Sequence, residues 1–267
     1  MIEKNILVGT YHKTGSVWMY NVFLALAKAL NVPFYHISAH TEFYKTQLGS
    51  KEAVDNFFQS QARNGKPAII FDDHSHFGNI GDDIRNRFVG VRLIRNPISI
   101  IGSSAKYHQW SEENWLHQPM KKFEGLTYQQ KIKSLENDNL RYLFEMEHTA
   151  KKTIRDMSSF PNWPFFKTFE FEKLLTDSSF VYFTKMFAHL GLSGEESLKA
   201  LKCVFDNSTF GKVEPSQSAH IQSTNQKDYG TDWNDEAKSF FLKHFDKDMV
   251  KLGFHLPKAL SIQDGKI

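Results

Sequence analysis

The segment Val8-Gly9-Thr10-Tyr11-His12-Lys13-Thr14-Gly15-Ser16-Val17-Trp18 begins inside the apolar run Asn5–Thr10 and ends inside a helix-periodic stretch, Ser16–Asn31. In that stretch Val17, Tyr20, Leu24, Ala27 and Leu30 recur three or four residues apart, which puts them on one helical face. A strand that turns through glycines into a helix presents backbone N–H groups, and the positive end of the helix dipole, to an anion. The segment is not a Walker A loop. Five residues separate Gly9 from Gly15 where that motif has four, and Lys13 precedes the second glycine instead of following it. There is no Gly-x-Gly-x-x-Gly either. On its residues alone the segment reads as an anion site or as a glycine turn carrying a surface lysine.

Outward from this turn, the apolar runs Asn5–Thr10, Pro33–Ser38, Ala68–Asp72, Phe88–Ile94 and Phe165–Phe169 have the length of strands, several bounded by Gly, Pro or Asp. Helical periodicity fills the gaps: Ser16–Asn31, a long charged helix over Thr127–Met157, then Val181–Leu190, Gly194–Phe205 and Asp235–Leu252. Continuous apolar strands alternating with helices predict an α/β fold, a mainly parallel sheet covered on both faces, with ligands at the carboxyl ends of its strands. There is no repeat or low-complexity linker, so one domain is expected over residues 1–267, with loop insertions at Gln109–Glu124 and Pro215–Gly230.

Composition sets the outer limits. The chain has 267 residues, 40% of them hydrophobic, and 33 basic against 30 acidic side chains for a net charge of +3. That excludes disordered, collagenous and disulfide-scaffold classes. A single cysteine, Cys203, cannot form an intramolecular disulfide and fits a reducing, cytoplasmic setting. The N-terminus lacks signal-peptide character and no apolar stretch reaches membrane-spanning length, so no membrane span is expected. No basic run marks a nucleic-acid partner; a small anion suits the mild positive charge better. The aromatic share, 14%, reads as an aromatic-rich core or as a pocket for flat ligands.

Two motifs in order carry a family resemblance. Residues 10–18 resemble the 5′-phosphosulfate loop of the sulfotransferase family, usually Thr-Tyr-Pro-Lys-Ser-Gly-Thr-Thr-Trp, with His12 at the proline. The run Phe88–Ile94 ends in Arg95-Asn96-Pro97, and Ser103 follows Arg95 by 8 positions, similar to the family's 3′-phosphate motif. A guanidinium grips a phosphate with two parallel hydrogen bonds, and a hydroxyl from the next helix adds a third; alone, Arg95 also reads as a helix-cap arginine in a surface ion pair. Three weaker likenesses follow. Phe171-Glu172-Lys173-Leu174-Leu175 is similar to the family's Tyr-Glu-Asp-Leu-Leu, Ser208-Thr209-Phe210 to its Thr-Ser-Phe, and Thr231-Asp232-Trp233 to the end of its Arg-Lys-Gly-x-x-Gly-Asp-Trp. In that last motif Gln226 and Asp228 replace the arginine and first glycine, leaving Lys227.

The resemblance implies a three-layer α/β/α, P-loop-like fold. It also implies transfer of a sulfuryl group from 3′-phosphoadenosine 5′-phosphosulfate (PAPS) to an acceptor hydroxyl or amine, with 3′-phosphoadenosine 5′-phosphate (PAP) as product and no metal. Carried over residue by residue, Lys13 is the leaving-group cation. Lys13, Thr14, Gly15, Ser16 and Val17 hold the 5′-phosphate, and Trp18, Phe171, Ser208 and Phe210 contact the nucleoside. Arg95, Ser103 and Lys227 hold the 3′-phosphate, and Ser103 also engages Lys13 before the donor's sulfate does. His74, in Asp72-Asp73-His74-Ser75-His76, falls at the family's catalytic base, and an imidazole suits proton removal at neutral pH. His76 competes for that role. Asp72, His74 and His76, alternating along an extended strand, also read as metal ligands, a reading ranked below the base. His12, Asp72, His74 and His76 would face the acceptor, and Tyr107, Trp110, Trp115 and Met120 line a lid or simply pack a long loop. A small molecule or glycan is the expected acceptor; the family's C-terminal Lys-x-x-x-Thr-Val dimer motif is absent, leaving oligomeric state open. The competing reading is a nucleotide-binding protein of the same fold without transfer activity. A kinase or NTPase is disfavoured by the order Lys13-Thr14-Gly15.

Overall fold

The computed structural model describes residues 2–63, 65–78, 80–213, 230–257 and 260. In chain order the elements are β1 (Asn5–Gly9), α1 (Ser16–Leu30), β2 (Phe34–His36), α2 (Lys51–Arg63), β3 (Ile69–Asp72), β4 (Phe88–Ile94), α3 (Pro97–Tyr107), α4 (Tyr128–Lys133), α5 (Asp138–Glu147), α6 (Thr149–Ser159), β5 (Phe166–Glu170), α7 (Phe171–Leu175), α8 (Val181–His189), α9 (Gly194–Asp206) and α10 (Asp235–Lys251). Two compact units result: Met1–Ile94 with Phe160–Gln226, and Arg95–Ser159 with Lys227–Ile267.

The first unit holds the sheet. Its order is β2-β3-β1-β4-β5 and every pairing is parallel, as the continuous apolar strands predict. Side-chain alternation along β1 divides the core. Ile6 and Val8 point into a cluster with α1, α8 and α9 through Phe23, Phe183, Phe187 and Val204, and Leu7 points the other way, with Phe58 of α2, Ile70 and Phe77. The chain leaves β1 toward β2 on one side of the sheet and leaves β3 toward β4 on the other. The carboxyl ends of the adjacent strands β1 and β3, Gly9 and Asp72, therefore flank the switch point where open α/β sheets bind ligands.

The second unit is helical. Where periodicity predicts one helix over Thr127–Met157, there are three, because polar side chains start new helices inside the run. Thr127 and Gln130 form a reciprocal capping box on α4, and Asn137 accepts the Leu140 N–H to begin α5. His148 then leaves the helical region (φ −122°, ψ −112°) and separates α5 from α6. The insertion at Gln109–Glu124 is packed: Trp115 donates to Glu113 and meets Tyr128 edge-on, while Leu116, Phe123 and Tyr128 share a core with Met120. Tyr107 is buried and donates to Glu113, and Trp110 is exposed.

Candidate active site

The β1–α1 loop is built around its own backbone. Thr14 donates its hydroxyl to the Tyr11 carbonyl at 2.9 Å and accepts the Tyr11 N–H at 2.8 Å, and the Thr14 N–H returns to the same carbonyl at 3.0 Å. Ser16 adds a third donor to that carbonyl and accepts from Thr10. Closing so tight a loop requires left-handed backbone at two residues, Lys13 (φ 64°) and Gly15 (φ 89°). The glycine adopts this freely, whereas the lysine does so at a cost of about 1–2 kcal/mol. Gly15 caps α1 with no side-chain bond and no acidic residue in the first turn. The first intrahelical bond runs from Met19 to Gly15, so the N–H groups of Ser16, Val17 and Trp18 have no carbonyl one turn back. Such a terminus favours an anion.

Behind the loop stands an aromatic group. Trp18 meets Phe171, Phe183 and Phe210 edge-on, with ring centroids 6.3, 5.7 and 6.4 Å apart. Phe171 presses on Gly15 so closely that a β-carbon there would lie 2.6 Å from its ring. Trp18 Nε1 is buried and meets no hydrogen-bond acceptor among the described residues. An indole N–H left this way in a native core calls for a polar partner, which a bound heterocycle would offer. Ser208 is buried and its hydroxyl donates to the Val204 carbonyl, closing α9.

The third strand ends at Asp72 and does not continue as the alternating extension that would align Asp72, His74 and His76. Asp73 and His74 form a turn and Ser75 is left-handed (φ 55°). Asp72 is buried and its carboxylate accepts the His74 N–H at 2.7 Å; burial pushes its pKa up, opposed by that hydrogen bond. Ser75 donates to the Thr10 carbonyl at 3.0 Å, and its hydroxyl lies 2.4 Å from where Gly9 would carry a β-carbon. His74 is thereby held between two anchored neighbours, one of them tied to the β1–α1 loop. His74 is half-buried and His76 exposed, their rings 5.7 Å apart. His12 is half-buried on the loop.

In the second unit, Asn96 caps α3 by accepting the Ile98 N–H, with Pro97 as the first helical residue. That explains the Asn-Pro pair locally. Ser103 lies with Ser99 and Lys106 on the partly exposed stripe of α3, while Ile98, Ile100, Ile101 and Ser104 are buried. Arg95, just ahead of the cap, is partly exposed.

Solved structures share this architecture. Mouse sulfotransferase SULT7A1, determined in complex with PAP, superposes with a TM-score of 0.56 at 13% identity over 94% of this chain and 86% of its own. Retinol dehydratase, determined with androsterone and inactive cofactor PAP, superposes with a TM-score of 0.52 at 11% identity over 96% and 84%.

The fold is that of the sulfotransferases.

No protein-family model matches the chain and no curated protein matches it by sequence. Within this sulfotransferase fold the segments that resemble the family's motifs occupy strand exits: Lys13 after β1, His74 after β3, Arg95 after β4 and Phe171 after β5. Of the expected nucleotide-contacting residues, Trp18, Phe171 and Phe210 share one aromatic group, with Gly15 under Phe171. Lys227, Gln226 and Asp228 lie outside the described residues. Gly9, Tyr11 and Ser75 stand inside the segments quoted from the sequence, but sequence reasoning gives none of them its part in building the loop and joining it to the His74 turn. A serine three residues beyond Asp72 carries no signal until the register of β1 against β3 is known. No described helix is long and apolar enough to cross a membrane.

Proposed function

We propose that the chain is a PAPS-dependent sulfotransferase, a single sulfotransferase-like domain acting on a hydroxyl or amine of a small molecule or glycan. The observation that carries this is the β1–α1 loop: a self-bonded turn around a left-handed Lys13, opening onto a helix N-terminus that no side chain caps, backed by a Trp18 N–H that meets no acceptor among the described residues.

On this reading the loop from Thr14 to Val17 takes the 5′-phosphate, and Trp18, Phe171, Ser208 and Phe210 take the nucleoside. Arg95 and Ser103, with Lys227, take the 3′-phosphate. The donor supplies the sulfuryl group when bound. Lys13 offsets the negative charge that gathers on the leaving oxygen, a role that needs a fixed cation and no motion during the step. His74 takes the acceptor proton, with Asp72 and Ser75 fixing its backbone. His12 and His76 line the acceptor side, and the buried Asp72 supports that side through the His74 turn. Sulfotransferase neighbours crystallised with PAP, two of them retinol dehydratase bound to androsterone or retinol, support the nucleotide and a small-molecule acceptor.

The test is a pair of measurements on the whole chain. PAP should raise the melting temperature in a saturable manner, and labelled PAPS should pass label to at least one member of a panel of phenols, alcohols, sugars and amines. Saturable PAP stabilisation with no transfer to any acceptor would assign the chain to nucleotide binding alone. Absence of stabilisation at millimolar PAP would overturn the proposal.

A further inference from the structure

Beside the turn that carries His74, a second group of side chains has no part in that chemistry. His36 at the end of β2, His40 four residues later, and Asp73 after β3 bring one ligand atom each to within 4.8 Å of one another. His36 Nε2 is 2.8 Å and His40 Nε2 3.4 Å from the same oxygen, Asp73 Oδ2. The two imidazole rings stand nearly perpendicular, 5.4 Å apart.

The surroundings fix this arrangement. Thr41 donates its hydroxyl to the carbonyls of His36 (2.9 Å) and Ser38 (2.8 Å), folding the loop so that both histidines face one point. The Ser38 hydroxyl accepts the Asp73 N–H at 2.8 Å, tying that loop to the end of β3. The His36 ring is held against Phe71 and Tyr20, at 5.3 and 5.0 Å, and its side chain is 21% exposed; that of His40 is 63% exposed. One ligand is locked, one has room to adjust, and the cluster opens to solvent.

We propose that His36, His40 and Asp73 form a binding site for a divalent transition-metal ion of the zinc class, with a fourth position left open. Two imidazoles and a carboxylate select such an ion over magnesium or calcium, which take oxygen ligands. Tetrahedral zinc with bonds of about 2.0–2.2 Å sets its ligand atoms about 3.3 Å apart. The separations from Asp73 bracket that value, and rotation of the exposed His40 ring closes the remainder. The Ser38 contact to Asp73 and the aromatic walls around His36 supply the outer-shell support such sites use. An ion here would join the loop after β2 to the turn after β3. The site does not depend on the sulfotransferase reading, since a metal-free transfer reaction neither needs nor forbids it.

Titration of chelator-treated full-length protein with Co²⁺ tests the proposal. One equivalent should bind, giving the visible bands of a four-coordinate ion, and Zn²⁺ should displace it and raise the melting temperature. His40→Gln, at an exposed position that leaves folding intact, should weaken Co²⁺ binding on the order of a hundredfold. Asp73→Asn should do the same, with unchanged far-ultraviolet circular dichroism showing the fold retained. Absence of saturable Co²⁺ binding to the parent chain, or binding that survives both substitutions with the same spectrum, would overturn the proposal. PAP stabilisation, measured on the same samples, reports separately on the nucleotide site.

Discussion

The ring of Phe171 lies against Gly15, its Cε2 2.6 Å from where a β-carbon would stand. The family pattern that this position resembles carries tyrosine. Here the aromatic face remains and the hydroxyl is gone, while the loop glycine still closes beneath it.

Gly15→Ala is therefore expected to fail twice over. The left-handed φ of 89° costs a non-glycine residue about 1–2 kcal/mol, and the clash with Phe171 adds about 1–3 kcal/mol of overpacking. Urea unfolding should show the combined loss. Adding Phe171→Ala should recover the steric part only, so the double-mutant cycle should show coupling between the two sites.

Lys13 is assigned to charge stabilisation in the transfer step, so Lys13→Met should reduce turnover by about 10²–10³-fold. PAP should still stabilise the variant, because the loop N–H groups and the aromatic group remain. Equal loss of PAP binding and turnover would instead make Lys13 a ground-state contact.

For His74, general-base catalysis predicts that His74→Ala lowers kcat by about 10²–10⁴-fold and removes the acid-side limb of the pH–rate profile. His76→Ala should leave that limb in place. The opposite pattern would move the base to the exposed histidine.

In the second unit, His108 and Glu145 share a 2.6 Å hydrogen bond with neither side chain reaching solvent, and Tyr128 donates to the same Glu145 oxygen at 3.0 Å. The other oxygen, Oε2, is buried and meets no donor among the described residues. Removing one partner of a buried pair strands the other, so Glu145→Ala should cost about 3–5 kcal/mol. Chemical denaturation gives the measurement, and a loss below about 1 kcal/mol would show the pair to be solvated.

Alkaline pH should loosen the same region. Burial, reinforced by the nearby carboxylates Glu113 and Glu145, raises the pKa of Tyr107 to about 12 and that of Tyr128 higher still. A hydroxyl that holds its proton more tightly folded than unfolded contributes stability that is intact below about pH 10, the unfolded value. That contribution is lost as pH rises through the folded value. Unfolding midpoints between pH 8 and 12 should fall accordingly, and Tyr107→Phe should flatten the decline.

The strands are legible because β1, β3 and β4 are short apolar runs, β1 and β3 buried along their whole length, while β2 and β5 are marked by aromatic residues, and the ends of all five fall within two residues of the expected ones. The loop is legible because its glycines and lysine sit in a fixed order. Helix α2 escapes the sequence reading even though Val54, Phe58 and Ala62 recur at four-residue intervals and are all buried. The long helix over Thr127–Met157 is an overreading because amphipathic periodicity persists through Asn137 and His148, while capping, a single-residue effect, decides where helices stop. The metal reading over Asp72, His74 and His76 extends strand alternation past Asp72, where the strand ends. The ligand-type cluster that assembles instead uses the neighbouring Asp73 with two histidines more than thirty residues away, a pairing that only the β2–β3 register creates.

Ser75 occupies the space that Gly9 leaves by having no side chain, and its hydroxyl closes on Thr10. For anyone redesigning this protein, that makes the first and third strand exits one transplantable cassette. Residues 9–16 and 72–75 must travel together, because a cradle grafted without its serine would leave the Thr10 carbonyl without that donor. Ser38 belongs in the same cassette, since its hydroxyl receives the Asp73 N–H that a bare graft would leave exposed.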